Sequence, residues 1–101
     1  MTDFTKCASL SDLPPGACRT VEVSGRPVAL FNVAGTVHCL ANECLHRGGP
    51  LGEGTLEGDV VTCPWHLWQY NVRTGENLID PAVKVKTYAV QVDGDDVKVA
   101  V

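Results

Sequence analysis

Two pairs of residues carry the clearest chemistry in this chain. Cys44 and His46 are separated by one residue, Cys63 and His66 by two, and sixteen residues lie between the pairs. A thiolate and an imidazole on one short segment make half of a metal site, so two such segments can enclose a centre from opposite sides. Zinc accepts two sulfurs and two nitrogens in a tetrahedral structural site. Zinc fingers, however, usually place cysteine with cysteine and histidine with histidine. One of each on every segment also suits a two-iron cluster with the cysteines on one iron and the histidines on the other. The residues alone leave both centres open.

The surroundings of the pairs point the same way. Asn42 to Gly58 holds Gly48, Gly49, Pro50, Gly52 and Gly54 and little that could be buried, so it is a loop that something must hold. Glycine there would let backbone N–H groups approach cluster sulfurs closely. No nucleophile with a base, no phosphate loop and no paired carboxylates accompany the four residues, so the expected role is not that of an enzyme turning over a small-molecule substrate. Cys7, Cys18 and Cys39 read as small buried hydrophobes. His38, between Val37 and Cys39, reads as a surface or capping histidine, and Trp65 and Trp68 either pack in the core or shield the centre.

The elements that must position these residues are strands. Among 101 residues, 45% are hydrophobic and 20% charged, which is the composition and size of one domain, and such a chain buries only roughly two-thirds of its unfolded surface. A bound metal would add stability that so small a core lacks. Fifteen valines against one isoleucine give the apolar content a β-branched character, so the expected fold is all-β. Arg19 to Val23 and Pro27 to Ala34 flank the hairpin signal Ser24-Gly25. Gly35 turns the chain into Thr36 to Ala41, and Asp59 to Cys63 forms a further strand. Lys84 to Val92 and Asp96 to Val101 flank Asp93-Gly94-Asp95. No stretch shows a convincing helical period.

Eight Lys and Arg against twelve Asp and Glu give a net charge of -4, which repels phosphate backbones and anionic membranes, so neither nucleic acid nor a membrane is an expected partner. Partner proteins are expected to present basic faces instead, although Arg47 beside His46 opposes that trend locally. The N-terminal residues lack a secretory pattern and no run reaches the roughly 18 apolar residues of a membrane span, which predicts a cytoplasmic location. In a reducing compartment an odd number of cysteines favours metal binding or burial over disulfides.

Through Cys44-Leu45-His46-Arg47-Gly48-Gly49 and Cys63-Pro64-Trp65-His66 the sequence resembles the Rieske family of 2Fe-2S proteins. The resemblance extends to Pro27-Val28-Ala29-Leu30-Phe31, Leu51-Gly52-Glu53-Gly54, Asn71 to Gly75 and Gly94-Asp95-Asp96-Val97-Lys98-Val99, so it spans nearly the whole chain. It implies a single Rieske domain over residues 1–101, with three antiparallel sheets and two cluster-binding loops at one tip, within residues 42–70. It implies one Rieske-type 2Fe-2S cluster, with Cys44 and Cys63 on the inner iron and His46 and His66 on the outer one. High-potential respiratory members carry an extra cysteine in each loop. This chain has none at those places, so it resembles the ferredoxins that pass electrons from an NAD(P)H-dependent flavin reductase to a terminal aromatic-ring oxygenase. Alternatives are the small subunit of an assimilatory nitrite reductase and a zinc-stabilised interaction module. The chain departs from the family where glycine usually follows the second histidine, since Leu67 stands there. Of two hydroxyl donors found after that histidine in high-potential relatives, the serine position is Trp68 and only the tyrosine position, Tyr70, keeps a hydroxyl; with no disulfide and at most one of the two bonds, the resemblance implies a potential toward the lower part of the Rieske range.

Histidine ligation has an electrostatic consequence. Two ferric ions, two sulfides and two thiolates sum to zero charge, whereas a four-thiolate cluster carries two negative charges before it accepts an electron, so reduction is easier with histidines. His46→Cys or His66→Cys, where a cluster still assembles, should therefore lower the reduction potential. An unchanged or raised midpoint in protein-film voltammetry would contradict the ligand assignment.

Overall fold

The structure is a computed structural model and describes residues 4–42, 50–64 and 68–100. Nine strands, all paired antiparallel, make up its regular structure, with two single 3-10 turns and no α-helix among the described residues. They are β1 (Thr5–Ser9), β2 (Cys18–Val23), β3 (Arg26–Val33), β4 (Thr36–Ala41), β5 (Thr55–Glu57), β6 (Val60–Thr62), β7 (Gln69–Asn71), β8 (Thr87–Asp93) and β9 (Asp96–Ala100). Two ladders result, one in the order β1-β9-β8-β4-β3-β2 and one in the order β5-β6-β7. The longer ladder is two sheets joined at a narrow seam, because β4 and β8 share only the pairs Cys39 with Tyr88 and Leu40 with Thr87. The chain is thus all-β, with three antiparallel sheets.

The layering follows from β3. Its run Val28 to Val33 is buried on both faces, and the period of two sends alternate residues to opposite sides. Ala29, Phe31 and Val33 enter one apolar core with Leu40 of β4, together with Leu51, Val61, Cys63, Tyr70, Val72 and Val85. Val28 and Leu30 enter the other with Val37, Cys39, Leu13, Val23, Val97 and Val99. The β2-β3-β4 sheet therefore lies between the small β5-β6-β7 sheet and the β1-β9-β8 sheet. A one-residue slip of β3 would exchange the two sets of side chains, so the two cores together fix its register.

Both hairpins of the central sheet turn through the left-handed region. Ser24 and Gly25 have φ of 52° and 81°, and Ala34 and Gly35 have φ of 50° and 98°. Positive φ at both central residues is the type I′ condition that matches the right-handed strand twist. The second turn is anchored by buried Asn32, whose side-chain oxygen accepts from the Gly35 N–H at 2.8 Å while its amide donates to the Leu13 carbonyl at 2.7 Å.

The strand expectations hold with shifted limits, and three strands were not foreseen. β1 lacks an apolar alternation and is held at the sheet edge by pairing with β9, with an irregularity between Lys6 and Ala8. β5 and β7 are three residues each, too short to show a period. The strand expected from Lys84 begins only at Thr87, because the preceding residues bond elsewhere. Lys84 forms a single bridge with Glu76, and the Val85 N–H donates to the Gly75 carbonyl at 2.9 Å.

His38 is the residue the central sheet accommodates least comfortably. The residue is half-buried, and its Nε2 is buried with no hydrogen-bond partner among the described residues, so this nitrogen neither faces solvent nor caps a backbone group there. His38 borders a cavity of about 220 Å³ that Arg73 also lines. Burial first, and then the Arg73 guanidinium, hold its pKa below the ordinary value near 6.5, with Asp59 acting in the opposite sense. The unfolded chain therefore binds the proton more readily than the folded one. The stability contributed by neutral His38 is fully present above about pH 6.5 and is lost as pH falls below it toward the folded pKa. Denaturant titrations should show a shallower loss of stability over that acid window in His38→Gln than in the parent chain, and equal slopes would contradict this.

Candidate metal centre

Of the four residues expected to bind metal, the structure describes Cys63. Cys44, His46 and His66 lie outside the described residues, as do Gly48, Gly49, Trp65 and Leu67. What the structure does give is the footing from which both segments leave the fold.

The first segment springs from the end of β4. Asn42 is buried there and makes four hydrogen bonds among the described residues. Its N–H donates to the Pro27 carbonyl at 3.4 Å, and its own carbonyl accepts from the Leu51 N–H at 2.8 Å. Its side-chain oxygen accepts from the Gly52 N–H at 2.9 Å and from the Thr20 hydroxyl at 3.1 Å. One residue thus closes residues 43–50 at their base and ties the returning chain to β2 and β3. Sequence reasoning passed over Asn42. Its signal was an Asn directly after a strand and two residues before Cys44, where a short amide can hydrogen-bond nearby backbone.

Gly52 and Gly54 serve this footing. A Cβ on Gly52 would overlap Thr20, and one on Gly54 would overlap the Thr62 carbonyl. Their N–H groups are committed to Asn42 and to the Leu51 carbonyl, so for these two the expectation of N–H groups aimed at sulfur gives way to close packing of the loop on β2 and β6.

The second segment leaves from the end of β6. Cys63 is wholly buried, and its N–H donates to the Trp68 carbonyl at 2.7 Å, which closes residues 64–67 at their base. Half-buried Trp68 packs against the same core as Cys63, and Tyr70 is wholly buried within it. Leu51, where the first segment returns, belongs to that core too. The two segments are therefore rooted in one apolar body.

This footing fits a metal centre by the chemistry of its donor. An uncompensated thiolate at a wholly buried site would be costly, whereas a coordinated metal ion deprotonates a thiol and neutralises the charge it leaves. Burial raises the pKa of the Cys7 and Cys18 thiols and, with a contribution from Cys7, pushes Cys39 up to about 12, which keeps all three protonated near neutral pH. All three are free thiols, and Cys18 Sγ donates to the Gly54 carbonyl at 3.1 Å.

Comparison with known proteins agrees with this picture. The family model described as Rieske [2Fe-2S] domain matches residues 3–89. The biphenyl dioxygenase ferredoxin subunit of Pseudomonas sp. (strain KKS102) is 38% identical over 98 residues, which cover 95% of this chain and 90% of that protein. A chain in the complex of reduced oxygenase and oxidized ferredoxin in carbazole 1,9a-dioxygenase superposes with a TM-score of 0.88 at 34% identity, covering 99% of this chain and 94% of that one. The putative NADH-dependent nitrite reductase small subunit from Mycobacterium tuberculosis superposes with a TM-score of 0.89 at 27% identity, covering 99% and 96%.

The Asn42 footing makes a stability prediction. Asn42→Ala strands the buried Gly52 N–H and releases Thr20, so it should cost about 1–3 kcal/mol, whereas Asn42→Asp keeps an acceptor and should cost less. Thermal unfolding of both variants checks the order, and an Asn42→Ala protein as stable as the parent would refute it.

Proposed function

The chain belongs to the Rieske [2Fe-2S] domain family, and from that premise we propose that it is a one-electron carrier between an NAD(P)H-dependent flavin reductase and a terminal aromatic-ring oxygenase. A Rieske domain implies one [2Fe-2S] cluster. The observation that carries the reading is the shared footing, in which the Cys44–His46 and Cys63–His66 segments leave one apolar core through mouths closed by the Asn42–Leu51 and Cys63–Trp68 hydrogen bonds. We assign Cys44 and Cys63 to the inner iron and His46 and His66 to the outer one.

When bound, the cluster supplies a site that takes up and releases one electron at little cost in rearrangement. The residues of this chain do the rest. The core around Cys63 excludes water from the thiolate side, which sets the local dielectric and hence the potential. His46 and His66 would each hold the cluster through one ring nitrogen and keep a proton on the other, and a ligand that keeps this proton is neutral, which would make reduction easier than thiolate ligands do. Asn42, Gly52 and Gly54 hold the returning limb of the first segment on β2 and β6. The oxygenating chemistry belongs to the partner, and this chain acts as the electron-transfer component. No described helix is long and apolar enough to cross a membrane, and we place the protein in the cytoplasm.

The likeness to the nitrite reductase small subunit favours a second reading, in which the chain is a fixed component of a larger reductase. A large subunit that co-purifies stably would select it over a diffusing carrier.

Ligand substitution tests the assignment. The purified protein should hold two irons and two labile sulfides per chain, and zinc in their place would refute the redox reading. Cys44→Ser and Cys63→Ser should lose most of the iron and weaken the fold, since metal binding and folding are coupled. Cys7→Ser, Cys18→Ser and Cys39→Ser should keep full iron content, and loss of iron in any of these three would force a different ligand set.

A further inference from the structure

The net charge of -4 conceals a local excess of the opposite sign. Seven of the eight basic residues are described, and four of them are neutralised by nearby carboxylates. Lys6 pairs with Asp96 at 3.0 Å, Arg19 with Asp12 at 4.0 Å, Arg73 with Asp59 at 3.5 Å and Lys98 with Asp93 at 3.5 Å. The other three, Arg26, Lys84 and Lys86, make no ion pair among the described residues, and all three line a single groove of about 480 Å³.

The fold brings them together from distant parts of the sequence. Arg26 opens β3, and the next residue, Pro27, accepts from the Asn42 N–H at 3.4 Å. The Ala41 N–H at the end of β4 donates to the Lys86 carbonyl at 2.8 Å, which sets Lys86 beside that strand end. Lys84 and Lys86 flank buried Val85, so the alternation leaves both lysines exposed. Lys86 Nζ lies 5.2 Å from the centre of the Tyr88 ring, which holds the ammonium over the groove wall. No acidic side chain lines the groove among the described residues, and Pro27, Ala41 and Val85 give it an apolar lining between the charges. Asn42 borders it as well, and Cys44 follows two residues later.

Three cations that make no ion pair among the described residues, set around an apolar lining at the foot of the first ligand segment, are complementary to a chain bearing several carboxylates. We propose that this groove docks an acidic surface segment of an electron-transfer partner protein, holding the partner beside the proposed cluster. The inference rests on the carrier reading above. The acidic remainder of the molecule repels a long polyanion such as nucleic acid, while a short acidic segment need only meet the groove. Opposite charge at this one place would set docking orientation and hasten encounter even though the whole molecule is negative.

The test uses the cluster-loaded protein and a fluorescein-labelled hexaglutamate peptide, with binding followed by anisotropy at low ionic strength. The triple variant Arg26→Gln, Lys84→Gln, Lys86→Gln should bind about tenfold more weakly, as expected from three exposed charge pairs of modest strength each. A control of equal net charge, Lys6→Gln, Arg19→Gln, Lys98→Gln, should bind like the parent. Equal weakening in both triple variants would reduce the effect to overall charge and overturn the proposal. So would binding of a hexathymidylate or of inorganic phosphate at the groove as tight as that of the peptide. Electron exchange with the reductase or with the oxygenase should slow about tenfold in the groove variant at low salt, and unchanged rates with both partners would also overturn it. The visible spectrum and the iron and sulfide content of the same samples report on the carrier reading separately. A clusterless protein would defeat that reading whatever the peptide does, whereas a normal cluster with no groove binding would defeat only the docking site.

Discussion

A single buried amide underlies the arrangement of the candidate centre. Asn42 lies where β4 ends, and with its backbone and side chain it bonds Pro27, Thr20, Leu51 and Gly52. Those partners belong to or adjoin β3, β2 and the returning limb of the first ligand segment. A loop rich in glycine has high conformational entropy and little to bury, so it needs such a clamp if its ends are to stay fixed. Burial makes the clamp strong, since leaving any of these groups without a partner away from water is costly. The second segment is closed in the same manner by one backbone hydrogen bond at the mouth, from Cys63 to Trp68.

The clamp works because the central sheet is packed on both sides. β3 divides its buried residues between two cores, one shared with the β5-β6-β7 sheet and one with the β1-β9-β8 sheet. The first core contains Leu51, Cys63 and Tyr70, so the sheet that settles the fold also supplies the rigid seat of the candidate ligands. A carrier benefits from a seat of this kind, because a centre that moves little between oxidation states exchanges electrons with little reorganisation. Of the three remaining described cysteines, Cys18 packs against this core and Cys7 and Cys39 belong with the other, and their raised thiol pKa values keep all three neutral in the same molecule.

Charge shows a comparable division between the whole and the part. Summed over the chain it is negative, yet most described cations are spent in exposed pairs with Asp residues, which contribute little to stability. The three that make no ion pair among the described residues converge because β3, the end of β4 and the residues before β8 meet at one end of the sheet. No sum over the sequence could locate them.

Much was legible from residue order alone. The types and spacing of Cys44, His46, Cys63 and His66 pointed to a metal centre, because such a centre needs particular donors on short segments and that requirement is written locally. The strands β2, β3, β4 and β9 were legible for the same reason, through alternation, apolar runs and turn pairs such as Ser24-Gly25. What tertiary structure decided is whatever depends on partners distant along the chain. β1 exists because β9 offers it an edge, and β8 starts at Thr87 because Lys84 and Val85 bond the Glu76 and Gly75 region instead. Gly52 and Gly54 are required by Thr20 and Thr62, neither of which adjoins them in sequence. His38 looks like a surface histidine on an alternating strand, and only the packing of the sheets reveals that its Nε2 is buried with no hydrogen-bond partner among the described residues. Local pattern fixes what a residue can do, while the surroundings that tune it are assembled by contacts across the sheets that no short window of sequence contains.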